Sequence, residues 1–259
     1  MTGHLCAVGF QEAAALGIDN VEHGLAFDTE FYSQKRPDAC PDQTAVITEL
    51  LDMDVKGAEI GRMISALVRQ RVAVTSTLAI IESFTGRNIT FDPGLLSTRI
   101  RMDYISARNA WSNPVNPTTL MWAGVLKREM EFERAFVAAG GHLMAGVDPT
   151  GWGGVIAGIG DHRQLELLVE AGLSPEMAIK VATSNGAMFL DPTHSFGTIA
   201  PGKSADLVVV RGDPSKGISA VRNVELVFKD GIAYDPTKLR AATEGTVGNG
   251  RAVLAPGRS

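Results

Sequence analysis

Three side chains able to bind a cation or move a proton stand where strand-like segments stop: His4 in "TGHL", His23 in "NVEHG" and Asp148 in "HLMAGVD". Imidazole nitrogen and carboxylate oxygen both suit zinc, at about 2.0–2.2 Å per bond. A carboxylate in such a place can also accept a proton from an attacking water. His4 and His23 are separated by the length of one compact strand-helix unit, so they can occupy neighbouring strands roughly 4.8 Å apart. Taken singly, each has a plain structural alternative. A strand-end histidine is often only hydrogen-bonded, and Asp148 before Pro149 can simply open a turn. Their shared position is what points to a metal site, because active sites of parallel barrels are built at the C-terminal ends of the strands.

The elements that would carry these residues are legible as alternating strands and helices over about the first 190 residues, an α/β pattern of parallel βα units. "VGFQEAAALG" reads as a short helix closed by Gly17, and Ile18 to Glu22 as the next strand, with Glu22 directed away from His23. In "EIGRMISALVRQ" one apolar face collects Ile60, Met63, Ile64, Leu67 and Val68. "RVAVTSTLAI" reads as a buried strand. A long connection containing "SNPVNP" follows, with a helix marked on one side by Val125, Phe132 and Phe136. Asp161 with Gln164 suggests a capping pair, and Ser174 with Pro175 an N-cap followed by a first-turn proline. After Leu190 the texture becomes short strands with a "KDGI" hairpin, a small β annex, and from about Asp235 a short helix and loose tail.

In order along residues 1 to 235, "TGHL", "NVEHG", "AGVDPTG", "LELLVEAGLSPEMAIKVATSNGAMFL" and "GTIAPGKSADLVVVRGDP" resemble the second half of a metal-dependent amidohydrolase, of the imidazolonepropionase-like and dipeptidase branch. The resemblance implies strands five to eight of a TIM-like (β/α)8 barrel over residues 1–196, a β-sandwich return segment over 197–235 and a C-terminal tail over 236–259. It makes His4 and His23 metal ligands and Asp148 both a ligand and the catalytic proton shuttle, with one or two divalent ions, zinc first, in the complete enzyme. The implied reaction is hydrolysis of an amide, cyclic amide or peptide-like C–N bond in a small or dipeptide-like substrate. Members of the family normally carry a His-x-His pair on strand one and a lysine or glutamate on strand four. Neither precedes His4 here, so the resemblance implies a truncated chain, or a half-barrel that pairs with an N-terminal chain or with itself. A non-catalytic scaffold half is the alternative from another class.

Other residues add less. His162 is a candidate for the substrate pocket, or a solvated helix-start histidine; Trp152 is a candidate wall over the site, or an apolar anchor of its loop. His142 and His194 read as structural. The glycine run around Trp152 lacks P-loop and GxGxxG spacing, and no G-x-S-x-G elbow occurs. With 259 residues, 45% hydrophobic, the chain is long enough for a sizeable core. A net charge of −5 with scattered Lys and Arg argues against a nucleic-acid or anionic-membrane footprint. No apolar run approaches the roughly 20 residues of a spanning helix, and no signal peptide is visible. Cys6 and Cys40 are expected as buried thiols, with a single bridge between them as the alternative.

Overall fold

Val21, Val74 and Leu143 are fully buried and fall on one row across three strands, which makes them the seam along which a parallel sheet meets its helices. The computed structural model describes residues 1–87, 92–149 and 154–248. Its main sheet has four strands in sequential order, β1 (Thr2–Gly3), β2 (Asn20–Glu22), β3 (Ala73–Ser76) and β4 (Leu143–Ala145), all parallel. The opposite face is polar. Asn20 Nδ2 donates to Thr2 Oγ1 at 2.8 Å, to Glu22 Oε1 at 2.8 Å and to Thr75 Oγ1 at 2.9 Å, so one amide ties three strands together. Glu22 therefore faces away from the helices, as period-two alternation from Val21 requires.

The βα alternation places helices α1 (Phe10–Ala15), α2 (Gln43–Asp52), α3 (Ala58–Gln70), α4 (Leu78–Ser83), α5 (Thr98–Ala110), α6 (Pro117–Ala138) and α7 (Ile159–Glu170) between and after the strands. The apolar face expected of α3 is present, with Ile60, Met63 and Leu67 fully buried. On α6, Val125, Phe132 and Phe136 are equally buried, and the two phenyl rings stack at 5.9 Å. Each such ring contributes about 1.5–3 kcal/mol relative to exposure. Asn116 caps α6 by accepting from Thr118 N at 2.9 Å, with Pro117 in the first turn. α8 (Pro175–Lys180) starts on Ser174 as expected, and a π-helical turn, Val181–Asn185, joins it to α9 (Gly186–Leu190).

After α9 the chain forms a separate antiparallel sheet, β5 (Leu207–Val210), β6 (Val224–Lys229) and β7 (Ile232–Tyr234). Asp230 and Gly231 link β6 to β7 with positive φ values of 50° and 79°, as the "KDGI" hairpin requires. The annex is pinned to the main body by Arg222, which donates to Glu166 of α7 at 2.6 and 2.9 Å. Glu166 belongs to a wider ion cluster centred on Glu82, 1% exposed, which receives both Arg163 (2.8 and 2.6 Å) and Arg87 (3.1 Å).

Several expectations are corrected here. Cys6 and Cys40 form a disulfide, with Cα atoms 4.8 Å apart, because the loop after the Leu25–Phe27 turn folds back over the end of β1. The same loop grips that end through Thr29 Oγ1 to Cys6 O (2.8 Å) and Lys35 Nζ to Ala7 O (2.5 Å). β3 stops at Ser76, since "LAI" already belongs to α4. Asp161 and Gln164 are not a capping pair. Asp161 accepts from Gly158 N at 2.8 Å, whereas Gln164 is buried between Ala79 N and Ser76 Oγ. The segment after α10 (Pro236–Thr243) is tied down up to residue 248: Val247 pairs with Leu96, its N–H donating to Leu95 O at 3.1 Å and its carbonyl accepting from Ser97 N at 3.0 Å. Trp152 and its neighbours lie outside the described residues.

Candidate metal centre

Each of the three strand-end residues leaves its strand at the same rim. His4 follows β1 directly, His23 follows β2, and Asp148 comes three residues after β4. His23 N donates to Thr75 O at 3.1 Å, so the parallel ladder holds its backbone before the chain turns. The turn is sharp: His23 has φ 72° and Gly24 φ 79°. Asp148 is also left-handed, at φ 44°. Such conformations in non-glycine residues cost about 1–3 kcal/mol each and persist only where surrounding contacts enforce them. Two of the six described non-glycine residues in this region are therefore members of the one cluster.

The tips converge. The rings of His4 and His23 stand edge to face at 4.7 Å, and both pack on Phe27, at 5.0 and 4.7 Å. His23 is 7% exposed, while His4 is open to solvent. His23 Nδ1 lies 2.8 Å from Thr77 Oγ1, and Nε2 faces Asp148 Oδ2 at 3.8 Å. In the tautomer whose Nδ1–H donates to Thr77, Nε2 offers its lone pair toward the carboxylate. Burial first, and then the neighbouring His4, push the His23 pKa below its ordinary value, against the pull of Asp148 and Glu22. The neutral imidazole is thus favoured, and this is the metal-binding form.

Imidazole nitrogen and carboxylate oxygen are donor types that suit a divalent cation. Two ligands of a tetrahedral zinc ion at about 2.05 Å place their donor atoms roughly 3.3 Å apart. The 3.8 Å between His23 Nε2 and Asp148 Oδ2 is wider than that and too long for a direct hydrogen bond. Among the described residues, however, no group of three or more His, Cys, Asp or Glu side chains is arranged to hold a metal ion.

His162 does not join this cluster. Its charged neighbours are Arg222, Asp161 and Glu166, and burial followed by Arg222 lowers its pKa, so it sits where α7 meets the annex. His142 is structural, as expected, with Nε2 2.9 Å from Asn185 O. Two participants escaped the sequence reading. Thr77, just past β3, orients the His23 ring. Glu129 is fully buried on α6 and accepts from Ala26 N at 2.8 Å, three residues after His23. The periodicity of α6 held the signal for Glu129, because it lies one helical turn from Val125 and Phe132 on the same apolar stripe.

Comparison with known proteins places these features in context. Residues 124–234 match the family described as "Amidohydrolase family". An 80-residue stretch is 41% identical to "Adenine deaminase 2" of Jannaschia sp. (strain CCS1), covering 30% of this chain and 13% of that protein. Among solved structures, "Bottromycin amidohydrolase" superposes with a TM-score of 0.63 at 20% identity, covering 93% of this chain and 53% of the other. A "Xaa-Pro dipeptidase with bound methionine in the active site" gives 0.56 at 22% identity, covering 90% of this chain and 44% of its own. At these identities the structural likeness establishes the fold, an α/β architecture with a parallel sheet. The chain spans about half the length of these structures and a smaller share of the deaminase.

Proposed function

We propose that this chain, whose residues 124–234 match the family described as "Amidohydrolase family", supplies the second half of a metal-dependent hydrolase acting on an amide, cyclic amide or peptide-like C–N bond. The observation that carries the reading is the convergence of His4, His23 and Asp148, with His23 Nε2 and Asp148 Oδ2 3.8 Å apart at the C-terminal rim of a parallel sheet. His4 and His23 would hold a divalent cation, zinc by preference, through imidazole nitrogen, and Asp148 through carboxylate oxygen. Such a cation supplies Lewis acidity, which polarises the scissile carbonyl and lowers the pKa of water to about 7. The Asp148 carboxyl would take the proton from the attacking water and deliver it to the leaving nitrogen, as a general base that becomes a general acid. Thr77 keeps the His23 ring in one orientation, and Phe27 closes the floor beneath both imidazoles.

The four strands are read as strands five to eight of a (β/α)8 barrel, and the annex as one layer of a β-sandwich. Support comes from β1 and β4, the edges of the sheet that pair with no further strand among the described residues, and from the polar row of Thr2, Asn20, Glu22 and Thr75 on the face away from the helices. Open edges of this kind invite pairing with further strands. One observation favours a second reading, a non-catalytic partner half: no described group of three ligands is assembled.

Equilibrium dialysis against Zn2+ with metal quantification tests the proposal, using the 259-residue chain, its His23→Ala variant and a panel of dipeptides and cyclic amides. Weak zinc binding that is lost in His23→Ala, with slow turnover, supports the half-site reading. Stoichiometric tight zinc and turnover within the ordinary enzyme range of about 1–10³ s⁻¹ would show that the chain is complete in itself. Binding unaffected by His23→Ala would remove the site altogether.

A further inference from the structure

Glu129 and Glu133 lie one turn apart on the buried stripe of α6, among Val125, Phe132 and Phe136, and both are 0% exposed. Neither is part of the ion cluster around Glu82, and no cation is paired with either among the described residues. A leucine in such a place would be the cheaper choice, because a buried carboxyl costs free energy unless its hydrogen-bonding capacity is used. The Glu129 carboxyl faces the backbone of the turn after His23: its Oε2 accepts from Ala26 N at 2.8 Å, while its Oε1 stands where a methyl group added to Gly24 would overlap it.

Those two contacts bracket the turn that carries His23. The segment Gly24–Phe27 leaves the sheet through two consecutive left-handed residues, and Ala26 is 1% exposed, so its N–H has no water to turn to. From these contacts we infer that Glu129 is a positioning residue for His23: its carboxyl fastens the Leu25–Phe27 turn to α6 and thereby sets the direction of the His23 ring. The inference rests on the reading of His23 as a cation ligand. Three anchors then define the imidazole. Thr75 O holds its backbone N–H, Thr77 Oγ1 its Nδ1, and Glu129 the turn immediately after it. With the Glu129 acceptor gone, Ala26 N is orphaned, and the left-handed His23–Gly24 step loses the contact that enforces it. The ring would then sample orientations in which Nε2 no longer faces Asp148. Groups that orient a metal ligand from behind typically contribute 10–100-fold to metal affinity.

Co2+ serves as the probe, because its visible absorption reports ligand geometry as well as occupancy. The full chain is titrated as wild type, Glu129→Leu, Glu129→Gln and Glu129→Asp, with His23→Ala as reference, and the His23 ring nitrogens are followed by NMR without metal. Glu129→Leu is expected to weaken Co2+ by about 10-fold or more and to shift the His23 nitrogens toward a mixture of tautomers. Glu129→Gln keeps a carbonyl acceptor and is expected to stay within about threefold of wild type; Glu129→Asp, one methylene short, should resemble the leucine variant. Wild-type affinity and unmoved His23 resonances in a folded Glu129→Leu would overturn the positioning role. Should that variant not fold, equal behaviour of Glu129→Asp and wild type does the same. If His23→Ala binds Co2+ as wild type does, or wild type binds none, the ligand reading fails. The ring resonances still decide whether Glu129 aims the imidazole.

Discussion

Replacing Gly24 with alanine isolates the physics of the turn that presents His23. Gly24 has φ 79° and ψ −151°, a region that only glycine occupies at ease. Forcing alanine to remain there costs about 1–3 kcal/mol. The added methyl would also overlap Glu129 Oε1 and approach Glu129 Cδ to 3.0 Å and Phe132 Cε1 to 3.1 Å. Neither neighbour can yield cheaply, since both are fully buried and Glu129 is bonded to Ala26 N. Overpacking of this kind adds about 1–3 kcal/mol. The two effects together predict a loss of roughly 2–6 kcal/mol, a large share of the about 5–15 kcal/mol that stabilises a typical domain. Urea unfolding followed by circular dichroism measures it. With an m-value of about 2–3 kcal/mol per molar, the midpoint should fall by about 0.7–3 M. A shift below about 0.3 M at unchanged m would refute the account of a turn locked against Glu129.

Other perturbations have equally definite outcomes. Arg163→Ala removes the bidentate partner of the buried Glu82 but leaves Arg87 paired with it, and is expected to cost about 1.5–3 kcal/mol in thermal or urea unfolding. Reduction of Cys6–Cys40, or Cys40→Ser, opens a loop of sequence separation 34 and should lower stability by about 4 kcal/mol on chain-entropy grounds, read as a midpoint difference with and without reductant. Burial pushes Glu133 from 4.5 up to about 8. The native state therefore keeps a proton that the unfolded chain releases, and stability should fall as pH rises from about 4.5 to about 8. Unfolding at pH 5 and pH 8 tests this, and Glu133→Gln should flatten the difference.

Local chemistry was legible in the sequence wherever it depends on neighbours along the chain. Strand-helix alternation, the apolar stripe of α3, the Ser174–Pro175 helix start and the "KDGI" hairpin all follow from periodicities and dihedral preferences that act over a few residues. The placement of His4 and His23 directly after strands was legible for the same reason, whereas β4 stops at Ala145, three residues short of the expected strand end at Asp148. Tertiary structure alone decided which groups meet. The Cys6–Cys40 bridge depends on a loop folding back over β1, and the expectation of free thiols failed because sequence separation says nothing about that path. Gln164 looked like half of a helix cap but is buried between Ser76 and Ala79, since its helical turn faces α4. Glu129 was visible as a charged residue on an apolar stripe, yet its partner, the Ala26 amide, lies far away in sequence and comes into reach only when α6 docks under the rim. Side-chain types and spacing are written along the chain, but hydrogen-bond partners of buried polar groups are settled by packing, because only there does losing water make one partner obligatory.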